Sequence, residues 1–211
     1  MKIVVFGASG RIGRVIAEEG LARGHFVTGV GRRASRMGLT HPRLTTVRGD
    51  ATDPESVAIV ASGHDAAVVA VGPAPGGDDE VFAAVAAAMI SGLPKGGVSR
   101  LLILGGAGSL EVAPGQRLVD TPEFPAAWKG NALGQAAALE LYRQSTLAWT
   151  CISPAALIEP GERTGHYRTG SDQLLIDADG KSRISIADFA MAMIDELEVP
   201  KNVGRRMTVG Y

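Results

Sequence analysis

Glycines at positions 7, 10 and 13 stand directly between an apolar run at 3–6 and a helical pattern, in the segment GASGRIGR. That is the setting in which a glycine-rich turn holds a dinucleotide pyrophosphate. Gly7 permits a tight turn, Gly10 lets the backbone approach the phosphates without a Cβ, and Gly13 allows the helix to lie close to the strand. The N–H groups of the helix start, at Arg11, Ile12 and Gly13, then face the anion. Ser9 and Arg11 are placed to add phosphate contacts, although Arg11 reads equally well as a solvated first-turn residue. Turn glycines without a ligand are the alternative, and three at this spacing in a strand-helix-strand unit argue against it.

A site selective for NAD places an acid at the end of the second strand, where it accepts from the ribose 2′-hydroxyl. Arg32 and Arg33 stand there instead. A guanidinium can grip a phosphate through two parallel hydrogen bonds, so NADP(H) is expected over NAD(H). A solvated basic loop, GRRASR, to which Arg36 belongs, is the other reading. Asp50 and Ala51, at the end of the third strand, are expected beside the adenine. Asp50 or Asp53 can alternatively cap the next helix, and Asp53-Pro54 is the better cap because proline suits the first helical turn. Val71 and Gly72, ending the fourth strand, are expected along the ribose.

These residues need a frame of alternating strands and helices. Apolar positions Ile12, Val15, Ile16 and Ala17 recur at helical spacing, the pattern fades near Gly24, and an extended pattern resumes at 26–30. Further strands are expected at 44–47, 66–71, 101–104 and 149–152, and helices at 53–61, 78–90 and 126–144. Repeated β-then-α alternation means a Rossmann-type, doubly wound, mostly parallel α/β sheet with helices on both faces. After Pro154 a glycine- and charge-rich stretch precedes a helix near 186–197 and a last strand around Met207. We expect one domain spanning 1–211, with 155–211 supplying substrate-side structure and GPAPGGDD at 72–79 forming an active-site loop.

The glycine spacing is the variant found in extended and atypical short-chain dehydrogenases, which the sequence resembles. The resemblance runs through GHFVTGVGRR, GDATD, LLILGGAGSL, FPAAWK, ISPAAL, GERTGHYR and ISIADFAMAMIDELE, and points to the NAD(P)H-binding, NmrA-like group of atypical short-chain dehydrogenases. That group includes proteins called NADH-flavin reductases, and biliverdin reductase B is similar in kind. By resemblance, Ser109 matches a substrate-side serine, and Ser153, Pro154 and Ala155 lie toward the nicotinamide. Ser109 can instead cap or turn its loop, and 153–155 can be strand-end packing.

Carbonyl-reducing members use a tyrosine with a lysine four residues on, because the ammonium lowers the phenol pKa. Here Tyr142 and Tyr167 are followed at that spacing by Thr146 and Ser171, and Tyr211 is the last residue. Lys129, beside Trp128, falls near where the tyrosine motif would lie, as a proton-handling candidate or a solvated helix charge. Arg163, His166, Tyr167 and Arg168 form a polar loop that either covers an anionic acceptor or is solvated. The resulting expectation is an NADPH-dependent oxidoreductase passing hydride to a flavin or quinone, the flavin being substrate rather than bound cofactor. A non-enzymatic NADP sensor acting on a protein partner is the rival, with a sugar epimerase third.

Composition bounds the rest. Twenty-one Lys and Arg against 22 Asp and Glu leave no basic field for nucleic acid. The single cysteine, Cys151, excludes an intrachain disulfide and sits in an apolar run, and His25, His41 and His64 lack metal-ligand spacing, so no catalytic metal is expected. No apolar stretch is long enough for a membrane span or signal peptide. A cytoplasmic monomer or homodimer acting on a small-molecule acceptor is expected.

Overall fold

The computed structural model describes residues 1–32, 38–73 and 79–211. Arg33, Arg36 and most of the proposed loop at 72–79 lie outside the described residues, as does the expected helix start at 78. Eight strands form the central sheet in the order β10-β12-β8-β5-β4-β1-β2-β3. They are β1 (Lys2–Phe6), β2 (Phe26–Gly31), β3 (Leu44–Arg48), β4 (Ala66–Val69), β5 (Arg100–Leu104), β8 (Ala148–Pro154), β10 (Arg168–Gly170) and β12 (Arg205–Gly210). All pairs are parallel except β10 with β12. The shorter pairs β6 (Glu111–Ala113) with β7 (Gln116–Arg117), and β9 (Leu157–Glu159) with β11 (Arg183–Ser185), stand apart from it.

Apolar residues on both faces of the inner strands require cover on both sides. One core holds Ile3, Val5, Val68 and Ile152 against α1 (Arg11–Ala22) and α5 (Ile186–Glu198). The other holds Val4, Phe6, Leu101 and Cys151 against α2 (Pro54–Ala61), α3 (Val81–Lys95) and α4 (Ala126–Arg143). In α1 the buried positions are Gly13, Ile16, Ala17, Gly20 and Leu21, one continuous helical stripe. The Rossmann-type α/β architecture is therefore present, with the topological reversal between β1 and β4.

Helix α3 runs five residues beyond its expected end at 90, to Lys95. Pro94 lies in its last turn, and Gly92 lets α3 meet α2: a Cβ there would stand 2.5 Å from the Pro54 carbonyl oxygen. The fourth strand stops at Val69, leaving Ala70 and Val71 as strand-end backbone. Among the described residues no helix is long and apolar enough to cross a membrane.

Candidate functional site

A cleft of about 440 Å³ opens across the carboxyl ends of β1, β2, β3 and β4, at the reversal of strand order. Gly7, Ser9, Gly10, Arg32, Asp50, Ala51, Val71 and Gly72 all line it. Pro73, from the expected loop at 72–79, also lines it, as do Gly31, Gly49 and Thr52, which sequence reasoning missed. The glycines at 31 and 49 continue the strand-end signal, as sites where the backbone must come close to something.

The chain leaves β1 through Gly7 at φ +84°, where a Cβ would stand 2.3 Å from the Ala70 carbonyl oxygen. The Gly7 N–H donates to Val30 O at 3.1 Å, and Gly10 N–H donates to Gly7 O at 2.9 Å. These bonds lock the turn between the ends of β2 and β4. Gly10 caps α1 without any side-chain bond, so the first N–H groups of the helix remain as donors at the cleft. Gly13 is buried behind the turn, and a Cβ on it would lie 2.3 Å from Gly7 O. Arg11 is exposed, and Ile12 is half-buried against the α1–α5 core. A bare backbone cradle of this kind fits a pyrophosphate, which needs close N–H approach.

Asp50 accepts from the Thr52 N–H at 2.9 Å and the Thr52 hydroxyl at 2.7 Å. Those two bonds, with a smaller contribution from the charge of Arg32, hold its carboxyl below the usual range. Asp50 is thus ionised on the cleft rim, and Asp53 caps α2 by accepting from Glu55 N and Ser56 N, with Pro54 in the first turn. The Ser56 hydroxyl accepts from Asp50 N–H at 2.9 Å and ties that cap to the rim.

The remaining candidates lie elsewhere. Ser109 accepts from the Arg206 guanidinium at 2.8 Å, and Arg206 also pairs with Asp172. Lys129 is exposed in the first turns of α4, near enough to Asp120 to help lower its carboxyl pKa, chiefly set by Arg117. Ser153, Pro154 and Ala155 are buried at the end of β8. Ser153 packs against Gly105, where a Cβ would stand 3.0 Å from its hydroxyl, and Ala155 belongs to the α1–α5 core.

The polar loop lies along the α1–α5 side. Arg163 makes two bonds to Glu19, at 3.1 and 2.9 Å, and Thr164 and Gly165 donate to Asp188. Tyr167 donates to Asp195 at 2.5 Å, Arg168 donates to the Ile176 and Tyr211 carbonyls, and His166 is exposed. Glu19 is nine residues into α1 from Gly10, about 13 Å down the helix from the cleft. Arg163 is therefore committed at the far end of α1 from the glycine turn.

All three tyrosines have structural positions. Tyr142 is 2% exposed, and burial drives its phenol pKa far up. Tyr167 is raised by burial and by its bond to Asp195. Tyr211 donates to Asp188 at 2.6 Å. Burial pushes the Cys151 thiol up to about 12, so it is an inert core group.

The comparisons with known proteins agree with this geometry. The model of a family described as NAD(P)H-binding matches residues 7–197. The Bacillus subtilis protein YwnB, whose name carries no activity, is 41% identical over 99% of this chain and 98% of its own. A Bacteroides thetaiotaomicron protein provisionally named an epimerase is 39% identical, with TM-score 0.91 over 100% of this chain and 96% of its own. A Streptococcus pneumoniae protein provisionally named an NADH-flavin reductase is 31% identical, with TM-score 0.87 over 100% and 99%. With a bare glycine turn at a strand-order reversal and a family match over most of its length, the chain belongs to the NAD(P)H-binding family of Rossmann proteins.

Proposed function

We propose that the chain is an NADPH-dependent reductase whose acceptor is a conjugated ring system such as a flavin or quinone. The observation that carries this reading is the commitment of every tyrosine phenol to a buried or carboxylate-bonded position, which leaves no phenol acid at the cleft. A ketone needs such an acid as its oxygen gains charge, whereas a conjugated acceptor spreads that charge over its rings. When bound, the nicotinamide supplies a hydride, and a proton from water completes the two-electron reduction of the acceptor.

The chain's own residues supply placement. Gly7, Gly10 and the first turn of α1 hold the pyrophosphate, Asp50 and Ala51 flank the adenine, and Arg32 takes the 2′-phosphate. The name carried by the Streptococcus pneumoniae relative supports a flavin as acceptor. The test is oxidation of NADPH and of NADH by the purified protein against free flavins, quinones and small carbonyls. Turnover with flavin or quinone, faster with NADPH and absent with simple ketones, is the expected result. Tight NADPH binding without turnover by any acceptor would replace the reductase with a redox sensor.

A further inference from the structure

Helix α4 carries two amides, Asn131 and Gln135, one turn apart on the stripe that continues through buried Ala138, Leu139 and Tyr142. Gln135 Nε2 donates to Asn131 Oδ1 at 2.6 Å. Gln135 also lies against the end of β5, since a Cβ on Gly106 would stand 2.7 Å from its Oε1. It closes a pit of about 30 Å³ walled by Val69, Val71, Phe82 and Gly105, too small for more than a water or two. Val71 lines both this pit and the cofactor cleft, so the two adjoin.

Length places Asn131 near the carboxyl ends of the strands. The 18 residues of α4 span about 27 Å, whereas the five residues of β5 span about 17 Å. The carboxyl end of α4 is tied closely to β8, so its first turns overhang the carboxyl ends of the strands. Asn131 stands where that overhang begins. Its Oδ1 is occupied by Gln135, which leaves its Nδ2–H groups to donate.

We propose that Asn131, oriented by Gln135, donates a hydrogen bond to a carbonyl oxygen or ring nitrogen of a planar conjugated acceptor seated outside this pit, in the cofactor cleft beside Val71. This deepens the reductase reading and rests on it. An amide N–H does not ionise in the aqueous range, so the pair holds and orients the acceptor without moving a proton. The substrate class is then a flat ring system with a hydrogen-bond-accepting edge, such as a quinone or an isoalloxazine. Asn131 touches substrate, and Gln135 is a positioning residue acting through it.

The experiment has two arms on wild type, Asn131→Ala and Gln135→Leu. Equilibrium dialysis of the NADP⁺-loaded proteins against a naphthoquinone measures acceptor affinity without turnover, and steady-state reduction compares that quinone with N-methylacridinium, a hydride acceptor lacking a hydrogen-bond-accepting edge. Loss of one neutral hydrogen bond weakens quinone binding roughly two- to tenfold in Asn131→Ala. The loss is smaller in Gln135→Leu, and acridinium kcat/KM falls by less than quinone kcat/KM in both. Equal quinone affinity in wild type and Asn131→Ala, no quinone binding to wild type, or an equal fall with both acceptors overturns the proposal. Absence of turnover with the dialysis result intact overturns the reductase reading alone.

Discussion

Arg32→Ala is the perturbation that isolates cofactor choice. Arg32 and Asp50 share the rim of one cleft, and the Asp50 carboxylate is kept ionised chiefly by Thr52, with a smaller contribution from Arg32. With Arg32 on the 2′-phosphate, as proposed, its truncation would remove a charged hydrogen bond worth about 1.5–3 kcal/mol, or roughly ten- to a hundredfold in affinity. It also leaves Asp50 facing that phosphate without a cation. Unit charges about 8 Å apart in water-like surroundings repel by on the order of 0.5 kcal/mol, and physiological salt reduces this. The NADPH loss therefore falls in the upper part of the range, while NADH, having no 2′-phosphate, changes by less than about twofold. Titration calorimetry with both cofactors on wild type, Arg32→Ala and Arg32→Ala/Asp50→Asn measures each contribution, and the second substitution should recover about twofold or less of the NADPH affinity. An NADPH-to-NADH affinity ratio unchanged in Arg32→Ala would refute the assignment of Arg32 to the phosphate.

Three further outcomes concern the polar loop and its partners. Asp188, fully buried, accepts from Thr164, Gly165, Ser185 and Tyr211, of which Ser185 is buried, so Asp188→Ala strands these donors and should cost about 1–3 kcal/mol in urea unfolding. Burial opposes ionisation of Asp188, but bonds from Tyr211, Thr164 and Gly165 outweigh it and hold the folded pKa below the ordinary value. Its stabilisation is therefore present above about pH 4 and lost as pH falls through the lowered folded value; Asp188→Asn should show a shallower acid dependence of stability. Tyr167→Phe removes the bond to Asp195 and should cost about 1.5–3 kcal/mol while leaving kcat within about twofold; a tenfold fall in kcat at full folding would place Tyr167 in the chemistry instead.

The cofactor half was legible in the sequence because its signals are local. Gly7, the Asp53-Pro54 cap and the apolar run of β4 each act within a few residues, and each lies where its pattern puts it. The second half depends on partners far away along the chain. Arg163 looks like a loop cation until Glu19, 144 residues earlier, is brought beneath it. Strands β9, β10 and β11 have three residues each, too few for alternation to appear, and the antiparallel pairing of β10 is set by β12. Gln135 was missed because an amide one turn from another on a helix reads as a solvated pair until the end of β5 is seen against it.

The packing of α1 against α5 has a consequence for how the molecule assembles. Helix α1 opens the glycine turn, yet Gly20 lies against Ile194, and Arg23 bonds Asp195 across 172 residues of chain. Helix α1 thus buries one flank against a helix that is synthesised well after it. Contacts of such long sequence separation form late, after most of the loop entropy has been spent. During synthesis the nascent nucleotide-binding half carries an uncovered apolar stripe until α5 has been made. Truncation before Ile186 would therefore leave the Ile16, Ala17 and Leu21 stripe without its cover, and the resulting fragment should aggregate rather than bind cofactor.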